Sequence, residues 1–179
     1  MGATGKINYN WTSSNNTDDI SEKSDIDVYN YTLRSSDYSD DWREAKEFIL
    51  NNGRGLGPEE NLTAEQSRIL NIIDNKAVSI PTEVILYRTD DTYWLAGAKV
   101  GDIIPIRNIL MTTVDNRIIT PENKGNVVQK MEISAPAGTR VFNPNNGDEK
   151  EIDVVRNQSI KIISVNVKEG IPVYKVKIV

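Results

Sequence analysis

The chain has 179 residues and a mass of 20.1 kDa; 38% of its residues are apolar, 26% are charged, and the net charge is −5. This is one domain's length, and no apolar run approaches the roughly 18 residues of a membrane span. Cysteine and histidine are both missing from the sequence. Disulfides, thiolate nucleophiles, Cys- or His-ligated metals, the Ser-His-Asp triad and the ordinary neutral-pH proton shuttle are therefore excluded.

Charge is distributed unevenly along the chain. Residues 1–60 hold 6 Lys/Arg and 12 Asp/Glu, which leaves 15 and 14 for residues 61–179. Neither part contains a basic stripe, so the sequence predicts no binding to a nucleic-acid duplex. The first thirty residues also lack the basic start and apolar stretch of a secretory signal.

The N-terminal part is predicted to contain a tail and two helices. Residues 1–37, rich in Asn, Ser, Thr and Asp, are interpreted as a mobile polar tail or a linker, and 38–179 as the folded domain. A helical pattern within 39–53 precedes a glycine-rich connector, and Thr63 with Gln66 forms a capping box that opens a second helix. The apolar face of that helix is predicted to be Ile69, Leu70, Ile72, Ile73 and Ala77.

After Pro81 the sequence predicts strands. Seven runs rich in Val, Ile, Tyr and Thr are separated by turn residues: 83–88, 108–114, 127–135, 139–142, 149–155, 159–167 and 171–179. Helices followed by strands, without alternation, predict an α+β domain whose core is two mostly antiparallel sheets.

Three features of the strand-rich part stand out. Arg88 ends an apolar strand and needs an anionic partner or an exit to water; an ion pair with Asp90, Asp91 or a later carboxylate would be enough. Thr112 and Thr113 place one hydroxyl on each face of a strand, although strand propensity alone explains many such pairs. Glu149 and Glu151 share a face of the predicted strand 149–155, either as a solvated edge or around a cation or substrate.

In order and spacing these features resemble the mono-ADP-ribosyltransferases of the toxin class marked by Arg, Ser-Thr-Ser and Glu-x-Glu motifs. The resemblance runs from about Ser39 to Val179. It depends on L-Y-R at 86–88, K-V-G-D-I-I at 99–104, L-M-T-T at 110–113, M-E-I-S-A-P-A-G-T-R at 131–140 and E-K-E-I-D-V-V-R-N-Q-S-I-K-I at 149–162. The resemblance therefore implies the ADP-ribosyltransferase fold, with residues 38–179 as the catalytic domain.

The resemblance implies a function. NAD would be the substrate, cleaved at the nicotinamide–ribose bond, and ADP-ribose would pass to an arginine of a target protein without any metal. The partner would be a protein of a host or competitor cell. The chain would act as a secreted or delivered effector in the target-cell cytoplasm, and it could belong to a larger toxin polypeptide.

The resemblance also implies roles for individual residues. Glu151 would bind the ribose hydroxyl, and Glu149 would face the acceptor arginine. Arg88 would bind a phosphate, the backbone at Thr89 would meet the nicotinamide amide, and Arg117 could add a second phosphate contact. Further members of the site would be Thr112 and Thr113 of the motif, the target-recognition loop 142–148, and Tyr93 or Trp94 against nicotinamide.

One departure from the family pattern keeps other functions open. Met111 stands where the family has the serine that supports the catalytic glutamate, so Thr113 or another group must orient Glu151, or the register is shifted, or activity is reduced. A degenerate domain that binds NAD without turnover is one alternative. A glycoside hydrolase that uses Glu149 and Glu151 as its acid–base pair is another.

Overall fold

A computed structural model describes residues 64–107, 109–116, 126–144 and 150–179. Within them it contains one helix and nine strands. The helix, α1, spans Ala64–Lys76. The strands are β1 (Val78–Ser79), β2 (Val84–Asp90), β3 (Ile103–Ile106), β4 (Ile109–Thr113), β5 (Gln129–Ala135), β6 (Arg140–Phe142), β7 (Glu151–Val155), β8 (Gln158–Lys168) and β9 (Ile171–Ile178).

The helix α1 confirms the second predicted helix. Leu70 and Ile73, one turn apart, are each 1% exposed and pack with Ile109, Phe142 and Val155 of the sheet. Residues three or four apart lie on the same side of a helix, so both side chains are on the face that meets the strands. The predicted tail, the first helix and Thr63 lie outside the described residues. No described helix has the length and apolarity that a membrane crossing requires.

The strands form one sheet with the order β1-β6-β7-β4-β2-β5-β9-β8-β3. Every neighbouring pair is antiparallel except β5 and β9. All seven predicted strands are present within the described residues, with shifted ends, and the mostly antiparallel arrangement is confirmed. The expected division into two sheets is wrong. β1 and β3, which continue the sheet at its two edges, were not predicted.

The nine strands count as one sheet because of a narrow joint. β2 and β4 share a single residue pair, Tyr87 with Thr113, whereas β2 and β5 share seven. Side chains from both sides of the joint nevertheless belong to one apolar cluster, which includes Val154 from one side and Ile162 from the other. A ladder one pair long has no sequence pattern of its own, which is why this continuity could not be predicted.

Burial follows the strand periodicity where one face is covered and departs from it where both are. In β2 and β5 every second residue is buried, as expected for strands with one face on the core. All five residues of β7 are buried. Its Val155 packs with α1 and its Val154 with the main core, so β7 is enclosed on both faces.

Candidate active site

Glu151 and Thr113 lie opposite each other where β7 begins and β4 ends. They are register partners in an antiparallel ladder, so their side chains leave the same face of the sheet. Glu151 is 3% and Thr113 6% exposed. Burial restricts the movement of this carboxylate, and a carboxylate that is already in position can stabilise a developing positive charge with little reorganisation.

Lys150 fixes the start of β7 through its main chain. Its φ of 46° is left-handed, and its carbonyl accepts hydrogen bonds from the Val114 amide and the Thr113 hydroxyl, both at 3.3 Å. Its ammonium group forms an ion pair with Asp115 at 3.1 Å. We call these contacts of Thr113, Val114, Asp115 and Lys150 the Lys150 clamp. The clamp joins the end of β4 to the residue directly before Glu151.

The two adjacent threonines face opposite ways, as the sequence predicts. The Thr112 hydroxyl donates to the carbonyl of Ile152, its register partner on β7. The Thr113 hydroxyl accepts from the Asp115 amide at 3.2 Å, on the side of Glu151. Thr112 therefore secures the β4–β7 ladder, while Thr113 lies beside the carboxylate.

The ladder also places Met111, the residue that departs from the family motif. Met111 is opposite Asp153, not Glu151, and it packs against the apolar cluster under α1. The residue opposite Glu151 is Thr113, which carries a hydroxyl. Support of Glu151 by Thr113 is therefore compatible with the register, and it stays a prediction.

Arg88 lies two strands away from Glu151. The pairs Glu151–Thr113 and Thr113–Tyr87 form one row across β7, β4 and β2, and two strand spacings amount to about 10 Å. Arg88 follows Tyr87 in the chain. Alternation directs its side chain to the buried face of β2, opposite to the face that Tyr87 shares with Glu151. Its Nη1 donates to the Met111 carbonyl of β4 at 2.9 Å.

The guanidinium of Arg88 is already paired in this structure. Its Nη2 lies 2.7 Å from Oδ1 of Asp90, and the two side chains are 8% and 0% exposed. This is one of the ion pairs that the sequence left open. The buried Nε of Arg88 has no hydrogen-bond partner. A guanidinium has five N–H donors, so the contacts with the Met111 carbonyl and Asp90 leave three for further acceptors such as phosphate oxygens.

Sequence reasoning missed a buried polar residue next to this ion pair. Gln129 is 0% exposed and donates from Nε2 to Oδ2 of Asp90 at 3.0 Å. The pattern Q-K-M-E-I-S-A could have revealed it, because period two places Gln129 on the same face as the core residues Met131 and Ile133. Asp153, also 0% exposed, is a second buried polar residue that was not singled out.

Some of the remaining predicted residues lie within the described ranges and others lie outside them. Thr89 is half-buried in β2 and pairs with Lys130 of β5. Trp94 packs against the main core, whereas Tyr93 is 61% exposed. Glu149, Arg117 and positions 145–148 of the recognition loop lie outside the described residues. Within the described ranges, no group of three or more acidic side chains could hold a metal ion.

The chain has the fold of the ADP-ribosyltransferase toxins, which confirms the fold expected from the resemblance. It is similar to an ADP-ribosyltransferase from Clostridium botulinum, with a TM-score of 0.67, 15% identity and coverage of 95% of this chain and 99% of that one. It is also similar to the C3 exoenzyme of Clostridium limosum, with a TM-score of 0.66, 12% identity and coverage of 88% and 94%.

A third similar structure is Exoenzyme S from Pseudomonas aeruginosa, solved with human 14-3-3 protein beta and carba-NAD. Its TM-score is 0.61, the identity is 14%, and 86% of this chain and 81% of that one are covered. No protein-family model and no curated protein matches the sequence. The likeness is therefore one of fold, and it leaves the activity to be argued from the residues.

Proposed function

We propose that this chain is an NAD-dependent mono-ADP-ribosyltransferase that cleaves the nicotinamide–ribose bond and transfers ADP-ribose to an arginine of a target protein. The observation that carries the proposal is the position of Glu151 within this fold. It is a buried carboxylate at the start of β7, opposite the Thr113 hydroxyl and two strands from Arg88.

The chemistry that Glu151 offers suits this reaction. As nicotinamide leaves with the electrons of its bond to ribose, the sugar becomes an oxocarbenium-like cation. An ionised carboxylate that accepts a hydrogen bond from a ribose hydroxyl stabilises this cation as it forms. Because the Lys150 clamp fixes the backbone before Glu151, the carboxylate needs little movement to meet the sugar.

Arg88 is the proposed phosphate contact. A guanidinium binds phosphate through charge-assisted, often paired, hydrogen bonds. Its Nη2 forms the ion pair with Asp90 and its Nη1 donates to the Met111 carbonyl. The remaining N–H groups of the fork are the donors proposed for a phosphate oxygen. Thr89 and Arg117 are the further proposed NAD contacts, and Tyr93 or Trp94 the proposed aromatic neighbour of nicotinamide.

The acceptor is proposed to be arginine because position 149 is glutamate. A guanidinium has a pKa above about 12, so it needs a nearby base to take its proton before it attacks the ribose carbon. Glu149 is the proposed base, and positions 142–148 form the proposed target-recognition loop. We propose that the target is a protein of a host or competitor cell, reached by secretion or delivery. The fold does not favour the glycoside hydrolase alternative.

The test measures release of nicotinamide from NAD and labelling of agmatine, a small guanidine acceptor. We expect Glu151→Gln to reduce both by about 10²–10³-fold, and Glu149→Gln to spare NAD cleavage while removing transfer. Glu169→Gln, the same change on the exposed β8–β9 turn, is the matched control and should leave both rates unchanged. Wild-type protein that binds NAD without cleaving it would support the degenerate alternative instead.

A further inference from the structure

We propose that Gln129 is a positioning residue for NAD binding: it holds Arg88 through Asp90 and ties the turn at 93–98 to the same ion pair. This inference rests on the proposed function, because it assigns Arg88 to the substrate. It adds a residue from β5, a strand to which the resemblance assigned no site residue.

The side chain of Gln129 connects two groups from different parts of the chain. Gln129 is the first residue of β5 and the register partner of Asp90, the last residue of β2. Its Nε2 donates to Oδ2 of Asp90 at 3.0 Å, and its Oε1 accepts from the Leu95 amide at 3.3 Å. All three residues are at most 3% exposed, so water is not available to replace either bond.

On the Arg88 side, Gln129 fixes the orientation of a carboxylate. Asp90 uses Oδ1 for Nη2 of Arg88 and Oδ2 for Gln129. Oδ1 of Asp90 accepts no hydrogen bond from the described residues, so the bond from Gln129 to Oδ2 is what orients the carboxylate plane. The guanidinium that is ion-paired with Oδ1 is oriented with it. The bond from Nη1 to the Met111 carbonyl completes this arrangement. Loss of Gln129 would leave Oδ2 of Asp90 without its hydrogen bond, and the Arg88 guanidinium would no longer be held in one orientation.

On the other side, Gln129 anchors a turn. The Leu95 carbonyl accepts from the Tyr174 hydroxyl at 3.2 Å, so the main chain of Leu95 is held at both its amide and its carbonyl. The turn continues through the bond from the Ala98 amide to the Leu95 carbonyl at 2.9 Å. Tyr93 and Trp94, the two aromatic candidates for nicotinamide, directly precede Leu95.

The chemistry of an amide explains why glutamine occupies this position. It offers a donor and an acceptor at its tip, which is what Asp90 and the Leu95 amide require. Methionine has a similar shape but satisfies neither partner. A Gln129 with a purely structural role, in a buried hydrogen-bond network unrelated to NAD, would also need both hydrogen bonds. The structural role and the positioning role differ in one respect: only in the positioning role does loss of Gln129 change NAD affinity through Arg88.

The experiment is a double-mutant cycle on NAD cleavage by the full chain. We expect Gln129→Met to raise KM for NAD about tenfold, the equivalent of about 1.4 kcal/mol, with a smaller change in kcat. In an Arg88→Lys background the same substitution should change KM by less than about twofold, because the fork it orients is gone. Ser134→Ala is the control: it removes another β5 hydrogen bond, to Glu83 at 2.6 Å, and should leave KM unchanged.

Three results would overturn the positioning role: an unchanged KM in Gln129→Met, equal effects in both backgrounds, or an equal effect of Ser134→Ala. If Gln129→Met does not fold, Gln129→Asn, which keeps the amide and withdraws it by one methylene, enters the same cycle. Hydrogen exchange of residues 91–98 tests the tie to the turn separately, and exchange no faster in the variant contradicts that tie. Wild-type protein that does not act on NAD refutes the proposed function, and with it the assignment of Gln129 to NAD binding.

Discussion

The two arms of the candidate site are held by different means. On the β4–β7 side, Glu151 follows a residue whose carbonyl binds an amide and a hydroxyl. On the β2–β5 side, Arg88 is held by the Met111 carbonyl and by side chains, in a chain of contacts that passes through Asp90 to Gln129. A change in one neighbouring side chain should therefore cost the glutamate arm less stability than it costs the arginine arm.

The largest expected effect tests the arginine arm. Asp90→Leu should lower the free energy of unfolding by about 3–5 kcal/mol, because it leaves the Arg88 guanidinium buried without its anionic partner. Urea unfolding measures the change. Arg88→Met combined with Asp90→Leu should recover a large part of the loss, since both charges are then gone. A double variant as unstable as Asp90→Leu would show that the ion pair is not what holds this arm.

A smaller effect tests the glutamate arm with a matched pair of threonines. Thr112 and Thr113 are both 6% exposed, and each hydroxyl binds a main-chain carbonyl, so Val at either position should cost about 1 kcal/mol of stability. Thr113→Val should also slow NAD cleavage, by more than Thr112→Val does, because only Thr113 shares the face of Glu151. Equal rates in the two variants would remove Thr113 from the support of the carboxylate.

The features of the fold and of the candidate site that follow local sequence patterns could be predicted from the sequence. Period two and turn residues located all seven predicted strands, and the spacing of Leu70 and Ile73 located the buried face of α1. The sequence also predicted that Thr112 and Thr113 would face opposite ways. Each of these depends on residues close together in the chain.

Contacts between distant residues could not be predicted in the same way. The single pair of Tyr87 with Thr113 turns two expected sheets into one, and it leaves no trace in the local pattern. The pair of Thr113 with Glu151 directly follows a left-handed backbone at Lys150, a conformation that the identity of a lysine does not indicate. The bridge from Gln129 to Leu95 joins residues 34 positions apart.

The smallest expected effect is in the Lys150 clamp, where the hydrogen bonds to the Lys150 carbonyl should persist when the lysine side chain is removed. Lys150→Gly removes the ion pair with Asp115, which is 28% exposed on the lysine side and so worth under about 1 kcal/mol. It also relieves the left-handed φ of 46°, and it leaves the carbonyl that binds Val114 and Thr113 in place. Urea unfolding and NAD cleavage should therefore stay close to wild type. Lys150→Val also removes the charge, but a β-branched residue disfavours the left-handed backbone. A larger loss of stability and of NAD cleavage in Lys150→Val than in Lys150→Gly would show that backbone conformation, not charge, holds Glu151.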